Sequence, residues 1–433
     1  MAREWTQQSL EHCMVAIIDY RGKTPKKMPL GIPLITAKVV KGGRIETPRE
    51  FIAEDDYESW MRRGMPERGD VVITTEAPLG EVAQLGGERV ALAQRLIALR
   101  GRPGILDNTF LKFLMQSENV QHQLRARASG TTVLGIKQSE LRKIMLTLPS
   151  FDEQRVIANI LGTLDDKIEL NRRMNETLEG MARALFKSWF VDFDPVRAKA
   201  EGRHPGLPKT LADLFPNTFE PSELGPIPKG WHVKRICDIA SSLQYGLTTS
   251  ARTQPVGPQF LRITDIQGGR VDWAKVPYCE ATVGECERYQ LKPHDIVVAR
   301  TGASTGENLY ISVAPNAVFA SYLVRFQFND HGVARMVGAF MRTGVYFEYV
   351  ANSIGGSAQP NASARVLAGA ILAIPSQAVI DKFADFVRPL DLKIAANDRE
   401  STVLAGLRDA LLPKLISGEL RIPDAEKLVE AQV

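Results

Sequence analysis

A loop near the start of the chain concentrates positive charge around a proline. Arg21, Lys23, Lys26 and Lys27 lie close together there with Thr24, and few apolar side chains accompany them. Ammonium and guanidinium groups in such a loop are typical ligands of phosphate, because they donate charge-assisted hydrogen bonds to its oxygens. The sequence therefore predicts phosphate contacts at this loop, and a solvated basic loop without a ligand is the alternative interpretation.

A second segment with polar side chains carries hydroxyl groups instead of charges. Its candidate residues are Tyr245, Thr248, Thr249 and Arg252. Hydroxyl groups both donate and accept hydrogen bonds, so they suit base edges, but they also cap turns. Both interpretations stay open for this segment.

Other polar residues follow two apolar runs that begin at Asp70 and Asp295. Thr75 and Glu76 follow the first run, whereas Arg300 and Thr301 follow the second, so the two sites would offer different donors and acceptors to a DNA groove. Arg300 is the sharpest candidate, because arginine can donate two parallel hydrogen bonds to guanine. The remaining candidates for DNA contact are Gln94, Arg95, Thr131, Thr132, Ser321, Tyr322, Ser357 and Gln359.

Signatures of catalysis on nucleotides do not occur in the sequence. We find no phosphate-binding G-x-x-x-x-G-K-[ST] loop and no G-x-G-x-x-G turn. The glycine-rich stretch from Thr301 to Gly306 lacks the lysine, which favours a turn. The four cysteines and six histidines do not have the paired spacing of zinc sites, so we expect no metal. The sequence thus predicts a protein that is not an enzyme by itself and binds no cofactor.

Composition and charge agree with a globular protein that contacts a polyanion. The chain has 433 residues, 44% of them hydrophobic, and a net charge of +4, which fits two to three domains. Lysine and arginine exceed the acids in residues 1–150 and 226–376, whereas residues 151–190 are close to neutral. Two basic blocks suit two contacts with nucleic acid, although small surpluses also occur on plain solvated surfaces. No stretch approaches the roughly 20 apolar residues of a membrane span, so we expect a cytoplasmic protein without membrane contact.

The sequence repeats itself at an offset of 226 residues. Trp5 corresponds to Trp231, and residues 35–46 align with residues 261–272 without a gap. Asp70 corresponds to Asp295 with a one-residue slip, and the register then holds from Gly130 to Leu185. This length is far beyond a solenoid repeat, so the pattern indicates duplication of a whole domain with its attached segment.

Each copy combines a mixed α+β part with a long helix. Residues 1–150 and 226–376 alternate short β-rich runs with glycine and proline, and the helix of the first copy begins at the capping box Ser150–Glu153. Apolar residues then recur with the 3.5-residue period of a coiled coil. The seam positions are Ile157, Leu161, Leu164, Ile168, Asn171, Asn175, Leu178, Ala182 and Leu185, and in the second copy Phe383, Val387, Leu390, Ile394, Asn397, Ser401, Leu404, Arg408 and Leu411.

We expect the seams of the two helices to pack against each other. A two-fold relation between the copies makes the helices antiparallel and brings Asn171 to the level of Asn397. Buried asparagines would fix the register of the pair, and solvated asparagines are the alternative. Helices of this size are roughly 50–55 Å long, so the sequence predicts a rod between two globular domains.

The chain resembles the specificity subunits of type I DNA restriction-modification systems over nearly its whole length. The resemblance rests on five stretches in a fixed order: Arg21–Pro25, Gly69–Val71, Gly130–Thr132, Leu148–Gln154 and Leu411–Leu420. It implies two target recognition domains, separated by two antiparallel helices, that each recognise one half of a split site in double-stranded DNA. It also implies partners, namely two methyltransferase subunits that bind S-adenosylmethionine and the translocating restriction subunits.

The resemblance assigns a role to each segment. Residues 1–150 and 226–376 become the recognition domains, 151–190 and 377–419 the spacer helices, 191–225 a linker and 420–433 a tail. The second helix has Val379 and Ile380 where the first has Glu153 and Gln154, so the two docking surfaces for methyltransferase are expected to differ. A symmetric adaptor that binds proteins instead of DNA is the alternative function.

Overall fold

The computed structural model describes residues 5–20, 24–130, 133–354 and 361–430. These fall into two compact units, the first up to Glu169 with the residues from Val403 onward, and the second from Leu170 to Thr402. Two long helices, Phe151–Phe190 and Gln377–Ser417, each contribute to both units. Within the described ranges, we find no helix that is both long and apolar enough to cross a membrane.

The first unit is built on an antiparallel four-stranded sheet. Its strands lie in the order Met14–Asp19, Leu96–Gly101, Val71–Thr75 and Leu79–Gln84. Successive side chains of a strand point to opposite faces, and here both faces are buried: Val71 and Ile73 join one apolar core, whereas Val72 joins another. The apolar run after Asp70 is therefore a central strand covered on both sides.

Smaller elements surround this sheet. Thr6–Ser9 pairs with Met145–Leu148, Val40–Lys41 forms a hairpin with Arg44–Ile45, and Ile32–Ile35 lies between Phe51–Ile52 and the parallel strand Ala91–Leu92. The helix Asn108–Gln116 is capped by the Asp107 carboxylate, which accepts from the Thr109 and Phe110 amides at 2.8 and 2.9 Å. The other helices are Leu10–Cys13, Tyr57–Trp60, Glu118–Ala126, Gln138–Leu141 and Ile422–Glu430, with a 3-10 turn at Glu54–Asp56.

The second unit repeats the same sheet order with Ser242–Tyr245, Leu323–Gln327, Ile296–Ala299 and Asn308–Tyr310. The remaining strand pairs are antiparallel His232–Arg235 with Ile371–Ile374, parallel Gln259–Leu261 with Ala317–Phe319, and antiparallel Phe219–Glu220 with Ile227–Pro228. Its shorter helices are Asp194–Ala200, Lys209–Ala212, Ile236–Ile239, Val283–Tyr289, His331–Phe340, Gly344–Ile354 and Ala364–Leu367. Its 3-10 turns are Ile263–Asp265, Gln267–Gly269, Trp273–Lys275 and Gly302–Ser304. The predicted α+β fold with an internal duplication is confirmed.

The long helices pack against each other in antiparallel orientation. In the second unit Phe186 meets Phe383, with ring centroids 6.0 Å apart, whereas Asn175 further back on the first helix bonds Asp398 further along the second. In the first unit Asp165 bonds Arg408 at 2.7 Å. Ile157 and Leu161 share an apolar core there with Leu411 and Leu415, as the predicted antiparallel coiled coil requires.

A layer of buried polar side chains interrupts the apolar seam in the second unit. Asn171, Asn175 and Asn397 are all buried. Asn171 donates to a Glu400 carboxylate oxygen at 2.8 Å, and Asn397 donates to the Asn175 side-chain oxygen at 2.8 Å. The asparagines are therefore buried and not solvated. Sliding one helix past the other would leave these groups unpaired, so the layer fixes the register.

The two long helices begin differently. At the first, the Glu153 amide donates to the Ser150 hydroxyl at 3.4 Å and the Ser150 amide donates to the Glu153 carboxylate at 3.1 Å, which is the predicted capping box. The adjacent Gln154 is buried and bonds three backbone groups. At the second, Val379 and Ile380 are buried in an apolar core, so apolar packing replaces the polar cap.

The buried amide of Gln154 gives a testable consequence for stability. Its nitrogen donates to the carbonyls of Ile105 and Pro149, and its oxygen accepts from the Asp107 amide at 3.1 Å. Gln154→Ala leaves these groups without partners, so we expect local protection of the first unit to fall by about 2–3 kcal/mol. Hydrogen exchange measures this. Gln377→Ala is the control, because the exposed Gln377 side chain bonds the carboxylates of Asp330 and Asp381 and its removal should lower the protection of the second unit much less. Equal losses of protection in the two variants would contradict the prediction.

Candidate nucleic-acid interface

Several predicted contact residues of the first unit line one open cavity of about 200 Å³. Thr24 and Lys27 come from the basic loop, and Gln94 and Arg95 come from the turn that follows Ala91–Leu92. The full lining is Thr24, Pro25, Lys27, Leu34, Thr36, Ala37, Lys38, Glu50, Ala77, Ala93, Gln94 and Arg95. Three cationic side chains and one carboxylate surround the cavity, so it favours an anionic group.

Surface ion pairs hold two of these cations. The Lys27 ammonium lies 2.9 Å from a Glu50 carboxylate oxygen, and Arg95 Nε lies 2.8 Å from a Glu76 carboxylate oxygen. Arg95 also has a positive φ of 75°, which is uncommon for a side chain with a Cβ and fixes it at the tip of its turn. Ion pairs with this exposure contribute about 1 kcal/mol or less, so a phosphate can displace the glutamates at little cost. Lys26 is exposed on the same loop.

Thr75 is a buried residue whose backbone bonds one of the residues that line the cavity. Its side chain is buried, and its hydroxyl oxygen is without a hydrogen-bond partner in the described structure. Its amide donates to the Arg95 carbonyl at 2.8 Å, so Thr75 positions Arg95. Six candidates lie outside the described residues: Arg21, Lys23, Thr131, Thr132, Ser357 and Gln359.

In the second unit, Arg300 is held in one orientation by three contacts. The carbon of its guanidinium lies 4.8 Å from the centre of the Tyr245 ring, a distance typical of a cation–π contact. Its Nη2 donates to the Asn361 side-chain oxygen at 2.9 Å, and its Nε approaches the Ala362 carbonyl at 3.4 Å. A guanidinium fixed in this way loses little conformational freedom when it binds a base.

Other candidates of the second unit lie beside Arg300. Its amide donates to the Tyr322 carbonyl at 3.0 Å, and Thr301 forms a backbone bridge with Asn361. The Ser321 amide donates to Leu247, the residue before Thr248 and Thr249. Tyr322 is 59% exposed, and an exposed aromatic side chain can stack on a base.

Arg252 is engaged by a different segment. Its backbone pairs with that of Tyr278 in both directions, and its guanidinium lies 3.8 Å from a Glu280 carboxylate oxygen. The contacts around Arg252 are therefore separate from those that gather Tyr245, Arg300 and Tyr322.

The two units place different side chains on the same backbone framework. The hydrogen bond from the Thr75 amide to the Arg95 carbonyl has its counterpart in the bond from the Arg300 amide to the Tyr322 carbonyl. Arg300 of the second unit thus corresponds to the buried Thr75 of the first unit, and Tyr322 corresponds to Arg95. Two such surfaces would prefer different ligands.

Several known proteins are similar to this chain in sequence. The model of the type I restriction modification DNA specificity domain matches residues 22–180. The chain is 27% identical to the specificity subunit of the type I restriction enzyme MjaIX of Methanocaldococcus jannaschii, over 82% of this chain and 79% of the relative. It is 24% identical to the HindI specificity subunit of Haemophilus influenzae, over 73% and 78%. This chain is therefore similar to the specificity subunits of type I restriction enzymes over most of its length. The resemblance found in the sequence motifs is confirmed.

A solved structure shares the fold of this chain. The crystal structure of the type I restriction-modification system S subunit from M. genitalium superimposes with a TM-score of 0.56, covers 96% of each chain, and is 16% identical. At this identity the likeness concerns the backbone alone. The side chains that distinguish the two surfaces are those of this chain and are not inferred from that structure.

Sequence reasoning missed two residues of these surfaces. Lys38 lines the cavity of the first unit and corresponds at the 226-residue offset to Thr264. The change from a charged to an uncharged residue between the two copies could have marked Lys38 as a candidate. Asn361, which bonds Arg300 across 61 positions of the chain, left no signal in the sequence.

Proposed function

We propose that this specificity subunit recognises an asymmetric DNA target of two half-sites, one with each recognition surface. The supporting observation is the shared backbone framework that presents Arg95 beside Glu76 in one unit and Arg300 beside Tyr245 in the other. Phosphate contacts position a protein on DNA and contacts with base edges give it specificity. In the proposed complex, lysines of the basic loop bind phosphates, and the residues that differ between the two units contact base edges.

In this proposal, the partner subunits catalyse DNA methylation and DNA cleavage, and this subunit recognises the DNA. Two methyltransferase subunits that bind S-adenosylmethionine dock along the long helices, and restriction subunits complete the assembly in the cell's cytoplasm. Exposed apolar side chains on these helices supply docking contacts: Leu170, Met181, Phe386, Leu392 and Val403.

The first test is the methylation pattern of DNA. Coexpression with the cognate methyltransferase subunit should give adenine methylation at one asymmetric split motif, which single-molecule sequencing detects. A family member's second recognition domain in place of residues 226–376 should change one half of the motif and leave the other half intact. A continuous motif, or a change in both halves, would contradict two independent recognition surfaces.

Salt dependence separates DNA binding from the role of a protein adaptor. Each phosphate contact releases counterions, so the affinity of the complex for DNA should fall steeply as salt is added. Lys26→Ala with Lys27→Ala should reduce that slope by about one to two. Binding that is weak and insensitive to salt would favour the adaptor.

A further inference from the structure

A glycine-rich loop of the second unit is bonded to the first long helix. Arg270 Nη2 lies 2.8 Å from a Glu179 carboxylate oxygen, and Nη1 lies 3.8 Å from a Glu176 carboxylate oxygen. Gly268 and Gly269 precede it with φ of 70° and 74°, a region that only glycine adopts freely. The loop is thus shaped to present the arginine to the helix.

The second long helix places a third carboxylate, that of Asp398, within electrostatic range of Arg270. Asp398 bonds Asn175 at 2.7 Å within the polar layer of the helix pair. Burial raises the pKa of Asp398, and the positive charge of Arg270 opposes that increase. Arg183 shares Glu179 at 3.5 Å and Arg172 bonds Glu176 at 2.6 Å, so both glutamates are paired along their own helix as well.

A second ion pair joins the same unit to the second long helix. Arg335, on the helix His331–Phe340, bonds both oxygens of Asp391 at 2.7 and 3.1 Å, and the two side chains are largely buried. Arg335 therefore bonds the second long helix and Arg270 bonds the first. These two ion pairs lie on different helices and add to the apolar core that the sheet shares with both helices, so each restricts rotation of the domain at a separate point.

The first copy lacks the residues that would make the Arg270 contact. Arg44 follows Gly42 and Gly43 as Arg270 follows its glycines, but Glu176 and Glu179 correspond at the offset of 226 to Thr402 and Ala405. Neither threonine nor alanine carries a charge. The pair that anchors the first copy is Lys112 with Asp165, the counterpart of Arg335 with Asp391.

We infer that Arg270 is a positioning residue that fixes the angle of the second recognition domain on the helix pair and so restricts the spacing between half-sites. The inference rests on the proposed function. A half-site displaced by one base pair moves by about 3.4 Å along the DNA axis and turns around it. To bind it, the recognition domain must tilt on the helices, and the Arg270 contact opposes that tilt.

The experiment measures spacing selectivity in the complete complex with its methyltransferase subunits. DNA libraries carry both half-sites, found first with the wild-type subunit, at separations that vary in single base pairs, and sequencing measures methylation at each. Arg270→Ala should raise methylation at neighbouring separations about two- to five-fold relative to the native one, the range expected for a partly exposed ion pair. The bases recognised in each half should not change.

Controls keep this test independent of folding and of the proposed function. Lys275→Ala removes a cation of the same domain that is 84% exposed and bonded to Asp272 in its own turn, and it should leave the spacing profile unchanged. Glu179→Gln should reproduce the effect from the helix side, and Arg270→Glu with Glu179→Arg should restore selectivity. An unchanged profile in both Arg270→Ala and Glu179→Gln overturns the inference, whereas a wild-type subunit without any split motif overturns the proposed function.

Discussion

Phe383→Ala is expected to destabilise the second unit by about 3–5 kcal/mol, the usual cost of deleting a buried phenylalanine ring. Phe383 is completely buried, and its ring contacts those of Phe186, Trp189 and Phe190 with centroid distances of 6.0, 6.3 and 5.0 Å. Removal of the ring leaves a cavity where the two long helices meet. Hydrogen exchange across residues 170–402 measures the loss, since a chain of two units need not unfold in one step.

Phe386 provides the matched control for this substitution. It lies on the same helix, is 50% exposed and contacts Trp189 at 5.9 Å. Phe386→Ala should cost about 1 kcal/mol or less, because little apolar surface returns to water. Comparable losses for both variants would show that Phe383 is not the centre of the helix contact.

Arg300→Ala is expected to lower methylation of the native target by about ten- to a hundred-fold, the discrimination that one bidentate contact with a base provides. The contacts with Tyr245 and Asn361 hold the guanidinium in place before DNA binds. The loss should concern one base pair of the half-site recognised by the second unit. Methylation of a library with each position varied locates it.

Arg300→Lys distinguishes base recognition from simple charge. Lysine keeps the positive charge but lacks the planar fork of donors, so nonspecific affinity and its salt dependence should stay near those of the original subunit while base selectivity falls. If Arg300→Lys retained full selectivity, Arg300 would act on phosphate and not on a base.

Features with local causes could be predicted from the sequence. The first long helix begins where Ser150 and Glu153 cap it, because capping involves residues three apart. The coiled-coil seam follows from a period of 3.5 residues, and Ile157, Leu161 and Phe383 are buried as that period requires. The aromatic residues Phe186, Trp189 and Phe190 pack there as well, although the seam that we derived from the period ended at Leu185.

Apart from the pairing of the two long helices, which the duplication implies, contacts between distant segments could not be predicted. The sequence presented Glu76 and Arg95 as separate candidates for base contact, but the structure pairs them at 2.8 Å. Thr75 stands in the sequence as one more polar residue after a strand, yet it is buried. Pattern alone cannot tell which polar residue at a strand end faces solvent, because that depends on the segments that cover it.

The duplication, the α+β fold class, the paired long helices and the resemblance to specificity subunits could all be recognised in the amino-acid sequence. Caps and helical periods involve neighbouring residues, and a repeat is found by aligning one half of the sequence with the other. Which polar side chains contact one another depends on the three-dimensional fold. The contact of Arg300 with Asn361 and that of Arg270 with Glu179 join residues 61 and 91 positions apart. Contacts at such separations arise from chain topology, which brings together residues whose types give no sign of one another in the sequence.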